Sequence, residues 1–168
     1  MYEIGQCFLY GGHGVCRITA IEVMRSGKGK ATYYVLEPVE QPGTKFFIPV
    51  GNEAALAKLR PLLTREALLG LLHSEQVRSF PWIDDEGQRK LRFRELISSG
   101  DREALMGMIG ALHRHRAFLT ASGRKFHQSD ENFLNDAQKL LNAEFAQVFD
   151  MKPSEVSKFI QHELENTH

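Results

Sequence analysis

The side chains of this sequence with the clearest capacity for chemistry lie around its single tryptophan. Trp82 follows Pro81 in a stretch, residues 74–85, that lacks helical periodicity. A tryptophan in such a loop either packs on a core or stays exposed as an aromatic wedge that can enter unstacking bases. The next helical stretch carries a basic cluster of Arg89, Lys90, Arg92 and Arg94. These cations either contact phosphates without sequence preference or solvate one helix face.

The charge distribution concentrates basic residues in the middle of the chain. Lys/Arg and Asp/Glu total 21 each, but residues 78–127 hold ten basic and six acidic residues. Residues 128–168 hold three basic and eight acidic ones. A basic middle is what a phosphate-contacting surface requires, and Arg124 and Lys125 in the polar loop at 120–127 could extend the patch.

Three histidines, His113, His115 and His127, are a candidate metal-ligand set. Residues two apart on a helix point to different sides, and no cysteine is near in sequence, so we expect no metal site. No phosphate-binding glycine loop or nucleophile elbow is recognisable in the sequence. We therefore expect a binding protein with no enzymatic activity, no cofactor and no small-molecule substrate.

The two cysteines, Cys7 and Cys16, fall in the strands of one predicted hairpin, so a disulfide is conceivable. Reduced, packed thiols are the expectation for a cytoplasmic protein. The chain has no apolar run of about 18–20 residues that could span a bilayer, and its first residues lack the features of a signal peptide. We expect a cytoplasmic protein without a membrane partner.

The first sixty residues contain four short β-rich runs, at 6–10, 15–23, 32–39 and 44–50. The first two flank a Gly-Gly-His-Gly turn, where glycine tolerates a positive φ. Alternation predicts one face of the second run to comprise Val15, Arg17, Thr19, Ile21 and Val23. Four short strands joined by glycine turns predict a small curled antiparallel barrel.

The fourth run offers a candidate partner surface. Its residues Lys45, Phe46, Phe47 and Ile48 place consecutive apolar side chains on a strand that could lie at the sheet edge. An exposed edge strand is a template for pairing with a strand of another protein. Alternation predicts that one of the two phenylalanines fills the barrel interior.

The remaining residues, 64–168, show helical periodicity. Helices are predicted at 65–73, 86–98 and 102–119, then to 149 after a cap at Ser129 or Asp130, and at 153–165. Thr64 and Asp101 are predicted N-caps. The apolar face of the last helix is predicted to comprise Val156, Phe159, Ile160 and Leu164. The sequence therefore predicts an α+β protein with a barrel at 1–60 and a bundle of about five helices at 64–168.

The chain resembles the CarD/CdnL family of transcription regulators, whose N-terminal module also occurs in transcription-repair coupling factor. In the first domain the resembling positions are Gly5, Tyr10, His13-Gly14-Val15, Ile18, Ile21-Glu22, Tyr34-Val35-Leu36 and Ile48-Pro49. In the helical part they are Trp82, residues 96–101 and the helix at 130–144. The resemblance implies a Tudor-like, SH3-like antiparallel β barrel followed by an all-helical C-terminal bundle.

The resemblance also implies a function. The barrel would bind the β subunit of bacterial RNA polymerase through the strand Lys45, Phe46, Phe47 and Ile48. Arg25 matches a position where the family often has a polymerase-contacting arginine. Trp82 would lodge in the minor groove at the upstream edge of the transcription bubble, beside promoter DNA contacts from Arg89, Lys90, Arg92, Arg94, Arg124 and Lys125. Such a protein stabilises the promoter open complex without reading sequence.

Two departures from the family pattern keep alternatives open. Phe47 stands where the family often has an arginine, and the acidic run at 84–86 follows Trp82 where the family has basic and aromatic residues. Acidic side chains beside a DNA wedge repel phosphate, which favours an adaptor that binds polymerase without productive DNA contact. A thiol redox regulator that uses Cys7 and Cys16 is the other alternative.

Overall fold

The computed structural model describes the backbone of residues 1–165 and the side chains of residues 1–163. The predicted apolar position Leu164 therefore lies outside the described side chains. The chain divides into two compact units, Met1–Leu62 and Leu63–His168. The first is an antiparallel sheet and the second is helical, so the predicted α+β class is confirmed. None of the described helices is both long enough and apolar enough to cross a membrane.

The sheet unit has five strands rather than the four predicted. They are β1 (Cys7–Tyr10), β2 (Val15–Ser26), β3 (Gly29–Pro38), β4 (Phe46–Pro49) and β5 (Leu59–Pro61), with a one-turn helix α1 (Glu53–Leu56) before the last. Their order is β4-β3-β2-β1-β5, with every neighbouring pair antiparallel. The pairing ladder thus ends at β4 on one side and β5 on the other. β5 was not among the predicted strands, because three residues are too few for a period of two to be recognised.

A β-bulge corrects the alternation predicted for β2. Ile18 pairs with Leu36 and Ala20 pairs with Val35, so Thr19 is an extra residue between two consecutive ladder pairs. One extra residue moves every later side chain to the opposite face. The prediction that Val15 and Ile21 share a face is therefore wrong, because Ile21 lies opposite Tyr34 of the core-facing set.

The core of the sheet unit is built from one face of the strands. Its buried members are Phe8, Cys16, Ile18, Tyr34, Leu36, Ile48 and Leu59. The turn between β1 and β2 is a short 3₁₀ helix, Gly11–His13. Gly11 and Gly14 have φ of 50° and 76°, which only glycine adopts at low cost. These two glycines let β1 fold back on β2 and close the core.

The helical unit contains six helices in its described part. They are α2 (Arg65–Leu72), α3 (Glu75–Arg78), α4 (Glu86–Ser99), α5 (Arg102–Ala121), α6 (Gln128–Phe149) and α7 (Pro153–Glu165). The predicted caps Thr64 and Asp101 are confirmed, since their side chains accept hydrogen bonds from Ala67 N and Ala104 N. The one-turn α3 was not predicted: it lies in the supposed break at 74–85 and is capped by Ser74.

Helix α5 is the centre of this unit and contacts α2, α3, α4 and α6. Its buried stripe includes Leu105, Met108 and Leu112. Gly107 is the point of closest approach: a Cβ there would lie 2.5 Å from the ring of Phe80. Glycine at this position therefore lets the segment that carries Phe80, and Trp82 two residues later, pack directly on α5.

The start of α6 differs from the prediction. His127 is the N-cap and makes no side-chain capping bond, whereas Asp130 lies in the first turn and is fully buried. The expectation that Ser129 or Asp130 caps the helix is therefore wrong. Asp130 instead pairs with Arg89 of α4, a partner 41 residues away in sequence.

Candidate functional site

The outer edge of β4 is the first candidate surface. This strand is the terminal member of the sheet and pairs only with β3 in the described ladder. Its outward backbone N–H and C=O groups are therefore available to a strand from another molecule. The sequence allowed for this edge position, and the strand order establishes it.

The side chains of β4 divide between core and solvent. Ile48 is buried, and Phe46 is half-buried with its ring 4.4 Å from that of His13 and 5.3 Å from that of Tyr10. Phe47 is 45% exposed. The prediction that one phenylalanine faces the interior is thus confirmed. Among the four partner-contact residues predicted at 45–48, only Phe47 and Lys45, which lies just before the strand, present exposed side chains.

Arg25 lies near the tip of the hairpin formed by β2 and β3. It is exposed and pairs with Lys30, while Lys28 occupies the turn. Phe47 pairs with Val35, which lies five residues after Lys30 on β3, and this pair belongs to the β3–β4 ladder, whereas Arg25 and Lys30 belong to the β2–β3 ladder. The structure therefore leaves Arg25 at a separate, basic end of the same sheet instead of beside the β4 side chains.

Trp82 is half-buried in the helical unit. Its indole stacks on the imidazole of His115 with centroids 3.9 Å apart and an interplanar angle of 15°. The guanidinium carbon of Arg89 lies 4.7 Å from the indole centroid, and Phe93 makes an edge contact at 6.3 Å. The indole is therefore held by three neighbours and keeps part of its surface open to solvent.

Arg89 is the residue that fixes this arrangement. It is 5% exposed, and its Nε and Nη2 donate to the two carboxylate oxygens of Asp130 at 2.9 and 3.1 Å. Its Nη1 donates to the carbonyl oxygens of Ile83 and Asp84. A bidentate pair at one end and two backbone acceptors at the other tie the segment after Trp82 to α6. Arg89 is therefore not a surface cation, and its predicted role as a phosphate contact is wrong.

The other cations of α4 remain at the surface. Lys90 pairs with Glu86 at 3.1 Å, and Arg92 pairs with Glu95 at 3.5 Å. Pairs of this kind on an exposed helix are weak and can exchange for phosphate. Lys90 also holds the pKa of Glu86 below its ordinary value. Arg94 is exposed beside them.

The acidic residues 84–86 stabilise the start of α4. Asp85 is the N-cap of α4 and accepts from Gln88 N at 2.8 Å. Glu86 lies in the first turn, where a negative charge favours the helix dipole. The carbonyl oxygen of Asp84 accepts from Arg89. This run therefore begins the helix that carries the basic residues, which gives it a structural role beside any effect on DNA.

Arg124 and Lys125 are exposed in the segment that follows α5. The guanidinium carbon of Arg124 lies 5.5 Å from the ring centroid of Phe118. Burial lowers the pKa of His115, and the charges of Arg89, His127 and Arg124 lower it further against an opposing effect of Asp130. Arg124 therefore lies against Phe118, whose ring centroid is 6.4 Å from that of His115, the residue stacked on Trp82.

Sequence reasoning missed the aromatic residues of α5. It considered His115 only as a metal ligand, and it did not single out Phe118, which is 59% exposed. His113 points elsewhere: its Nδ1 accepts from Arg116 at 2.9 Å, since arginine can only donate, so the ring is neutral. No group of three metal-ligating side chains occurs among the described residues.

The two cysteines are arranged poorly for redox chemistry. Cys16 lies opposite Phe8 in the core-facing set, whereas Cys7 is the next residue along β1 and faces the other side of the sheet. Both are free thiols, and burial raises the pKa of Cys16 to about 12. A protonated, buried thiol is a weak nucleophile. This geometry disfavours the thiol redox alternative.

Comparison with known protein families decides the identity of the sheet unit. Residues 2–62 match the CarD-like/TRCF RID domain, a range that ends at the residue where the first compact unit ends. The sheet unit is therefore a CarD-like/TRCF RID domain, which covers 61 of the 168 residues. The resemblance inferred for the first domain is thereby confirmed, and the resemblance of the helical part stays a prediction. No curated protein matches the chain.

Domains of the RID family are protein-interaction domains, and the family generally interacts with the RNA polymerase β subunit. The match therefore indicates a transcription-related function that involves interaction with RNA polymerase. The matched range contains the β4 edge, Phe47 and Arg25, whereas Trp82 and the helical unit lie beyond it.

Proposed function

We propose that this chain is a transcription regulator that binds the RNA polymerase β subunit and stabilises the promoter open complex. The RID domain would bind the polymerase, and the helical unit would contact upstream promoter DNA without reading its sequence. The observation that carries the proposal is the joining of an RID domain to a half-buried tryptophan that a buried Arg89–Asp130 pair holds in place.

The polymerase contact would form by strand addition at β4. Main-chain hydrogen bonds along an edge strand supply affinity, and alternate side chains supply specificity. Phe47 is exposed on this strand, with Lys45 just before it. The partner strand would therefore contact an aromatic side chain flanked by a cation. Arg25 would add a second, more distant contact at the hairpin tip.

The DNA contact would combine Trp82 with the surface cations Lys90, Arg92, Arg94, Arg124 and Lys125. An aromatic side chain placed where base pairs separate binds the melted state better than the closed one, so it shifts the equilibrium toward opening. The cations contribute attraction to phosphate that does not depend on sequence. Tethering through the polymerase raises the effective concentration of this weak binder, which suits a chain with no net charge.

The test is promoter opening by polymerase in the presence of the full-length chain. Trp82→Ala removes an aromatic contact of about 1–3 kcal/mol, so the open-complex lifetime should fall about fivefold or more. The variant should still be captured by polymerase. Leu91→Ala is the matched control, because Leu91 is an exposed apolar residue of α4 in the same unit. An unchanged lifetime with Trp82→Ala would reject the DNA role.

The second candidate is an adaptor that binds polymerase without productive DNA contact. Two observations favour it: the acidic residues 84–86 begin two positions after Trp82, and Lys90 and Arg92 are already paired with glutamates. Normal capture of polymerase together with an opening rate that is insensitive to Trp82→Ala and to Arg94→Ala is the result expected of an adaptor.

A further inference from the structure

The second half of α5 and the segment after it form a stretch with a one-sided charge. Residues 104–129 contain no aspartate or glutamate, and they carry Arg114, Arg116, Arg124 and Lys125. All four of these cations are exposed. Such a stretch attracts a polyanion and contains no carboxylate of its own to compete for the cations.

Aromatic rings run through the same stretch. Phe118 is 59% exposed and lies 6.4 Å from His115, which in turn stacks on Trp82 at 3.9 Å. The ring centroid of Phe126 also lies 6.4 Å from that of His115. The guanidinium carbon of Arg116 is 6.0 Å from the ring centroid of Phe126. We call Trp82, His115 and Phe118, together with Arg124, the aromatic strip.

Phe118 is the exposed end of this strip. An exposed phenylalanine on a helix gains little for folding, because its ring stays in water. Arg124 lies over the ring at 5.5 Å, an arrangement in which a cation and an aromatic face stabilise each other. A nucleobase that stacks on Phe118 would therefore have a guanidinium beside it to neutralise its phosphate.

We propose that the aromatic strip binds single-stranded DNA, with Phe118 as the stacking platform for an unpaired base and Arg124 and Lys125 on the backbone. Exposed rings interleaved with cations are what single-strand binding surfaces use, because every base has a face to stack. Duplex DNA hides those faces, so the strip prefers melted strands. At a promoter this role rests on the proposed function, since the polymerase supplies the melted strand.

The test uses the full-length chain and a fluorescein-labelled oligothymidine of about 12 nucleotides, a length within the site sizes of single-strand binders. Anisotropy at low salt should show binding to this strand that is stronger than binding to a duplex of equal length. Phe118→Ala should weaken single-strand binding about fivefold or more and leave duplex binding unchanged. Phe118→Trp should retain the affinity, and Phe118→Leu should lose it.

Leu91→Ala is again the matched control, since Leu91 is 60% exposed in the same unit. Phe118→Leu and Leu91→Ala are surface changes, so each variant should keep its circular dichroism spectrum and unfolding midpoint. Any of three results would overturn the proposal. They are an unchanged single-strand affinity in Phe118→Leu, equal losses of affinity in Leu91→Ala and Phe118→Ala, and stronger binding of the wild-type chain to duplex than to single strand. Capture by an acidic peptide with the loss confined to Phe118→Ala would also overturn it, in favour of a protein partner.

The outcome separates this proposal from the function proposed above. The anisotropy measurement needs no polymerase, so failure of the RID domain to bind polymerase leaves it readable. Conversely, Trp82→Ala could shorten the open-complex lifetime while Phe118→Ala leaves the single-strand affinity unchanged. That result would support the proposed regulator function and reject single-strand binding by the aromatic strip.

Discussion

The two units offer a partner different parts of the chain. The RID domain offers backbone, because β4 is the last strand of its sheet and its outer edge carries unpaired groups. The helical unit offers side chains. Its candidate surface consists of Trp82 in a loop, His115 and Phe118 on α5, and cations on α4 and in the segment after α5. An edge strand presents its groups by topology alone, whereas a side-chain surface depends on the residues beneath it.

The difference shows in what lies under each surface. Beneath β4 the support is a run of apolar contacts, with Ile48 and Tyr34 in the core of the sheet. Beneath Trp82 the support is the ion pair of Arg89 and Asp130, whose side chains are 6% and 0% exposed. An apolar support tolerates change gradually, but a buried ion pair fails as a unit when one charge is removed. The Trp82 surface is therefore the more fragile of the two.

The largest expected effect comes from removing one charge of that pair. Asp130→Asn leaves Arg89 buried without a counter-charge, which should lower the free energy of unfolding by about 3–5 kcal/mol. It should also loosen the carbonyl contacts at Ile83 and Asp84, so Trp82 becomes more exposed. Urea unfolding and the emission maximum of Trp82, the single tryptophan, measure both effects.

The control is a second ion pair with little exposure among the described residues of the helical unit: Arg102 Nε and Glu144 Oε1 are 2.7 Å apart. Glu144→Gln should lower stability but leave the emission of Trp82 in the folded state unchanged, because Glu144 bonds to Arg102 and Leu63 N instead. The double change Arg89→Met with Asp130→Leu should restore stability while Trp82 stays exposed. If Asp130→Asn leaves the emission maximum in place, Arg89 does not position the tryptophan.

The second expected effect tests the RID edge. Phe47→Ala removes an exposed aromatic side chain from β4, and truncation of such an anchor costs somewhat more than about 1 kcal/mol in binding. Affinity for the polymerase β subunit should therefore fall about tenfold, with folding unchanged. Val23→Ala, which truncates an exposed residue of β2 in the same sheet, is the control and should bind normally. Equal losses in the two variants would mean that β4 is not the contact.

The same comparison explains which parts of the structure the sequence could predict. Alternation and glycine turns located β1 to β4, and helical periodicity with Thr64 and Asp101 located most helix starts, because these signals are local. The bulge at Thr19 could not be predicted, since a single inserted residue looks like ordinary alternation until the partner strand is known. The position of β4 at the edge of the sheet could be predicted, because strands joined by hairpins are neighbours in the sheet.

The candidate site in the helical unit was predicted less well for a physical reason. Its residues are sequence-distant, and their roles depend on pairing: Arg89 looks like Arg92 and Arg94 in sequence, but only Arg89 meets Asp130. The same holds for Asp130, whose position suits a helix cap until its partner is seen. A buried charge carries no local signal, so the basic cluster could be located while the role of each member could not.

The smallest expected effect is a pH response of the Trp82 surface. Burial and nearby cations keep the pKa of His115 below its ordinary value of about 6.5, so the imidazole stacked on Trp82 is neutral at pH 7. The unfolded chain then binds this proton at a higher pH than the folded chain. Stability from this residue is therefore complete above about pH 6.5 and is lost as the pH falls through the lowered pKa.

Fluorescence of Trp82 between pH 7.5 and pH 5 measures this response, because an imidazolium quenches indole more strongly than a neutral imidazole. The transition should have a midpoint below about 6.5 and should disappear in His115→Gln. His113→Gln is the control: burial lowers the pKa of His113 as well, but its ring bonds to Arg116 and lies away from the indole contacts. A fluorescence transition that survives in His115→Gln and vanishes in His113→Gln would show that the stacked imidazole is not the titrating group. The Trp82 surface would then respond to pH through His113, a residue that does not contact the indole in the described ring contacts.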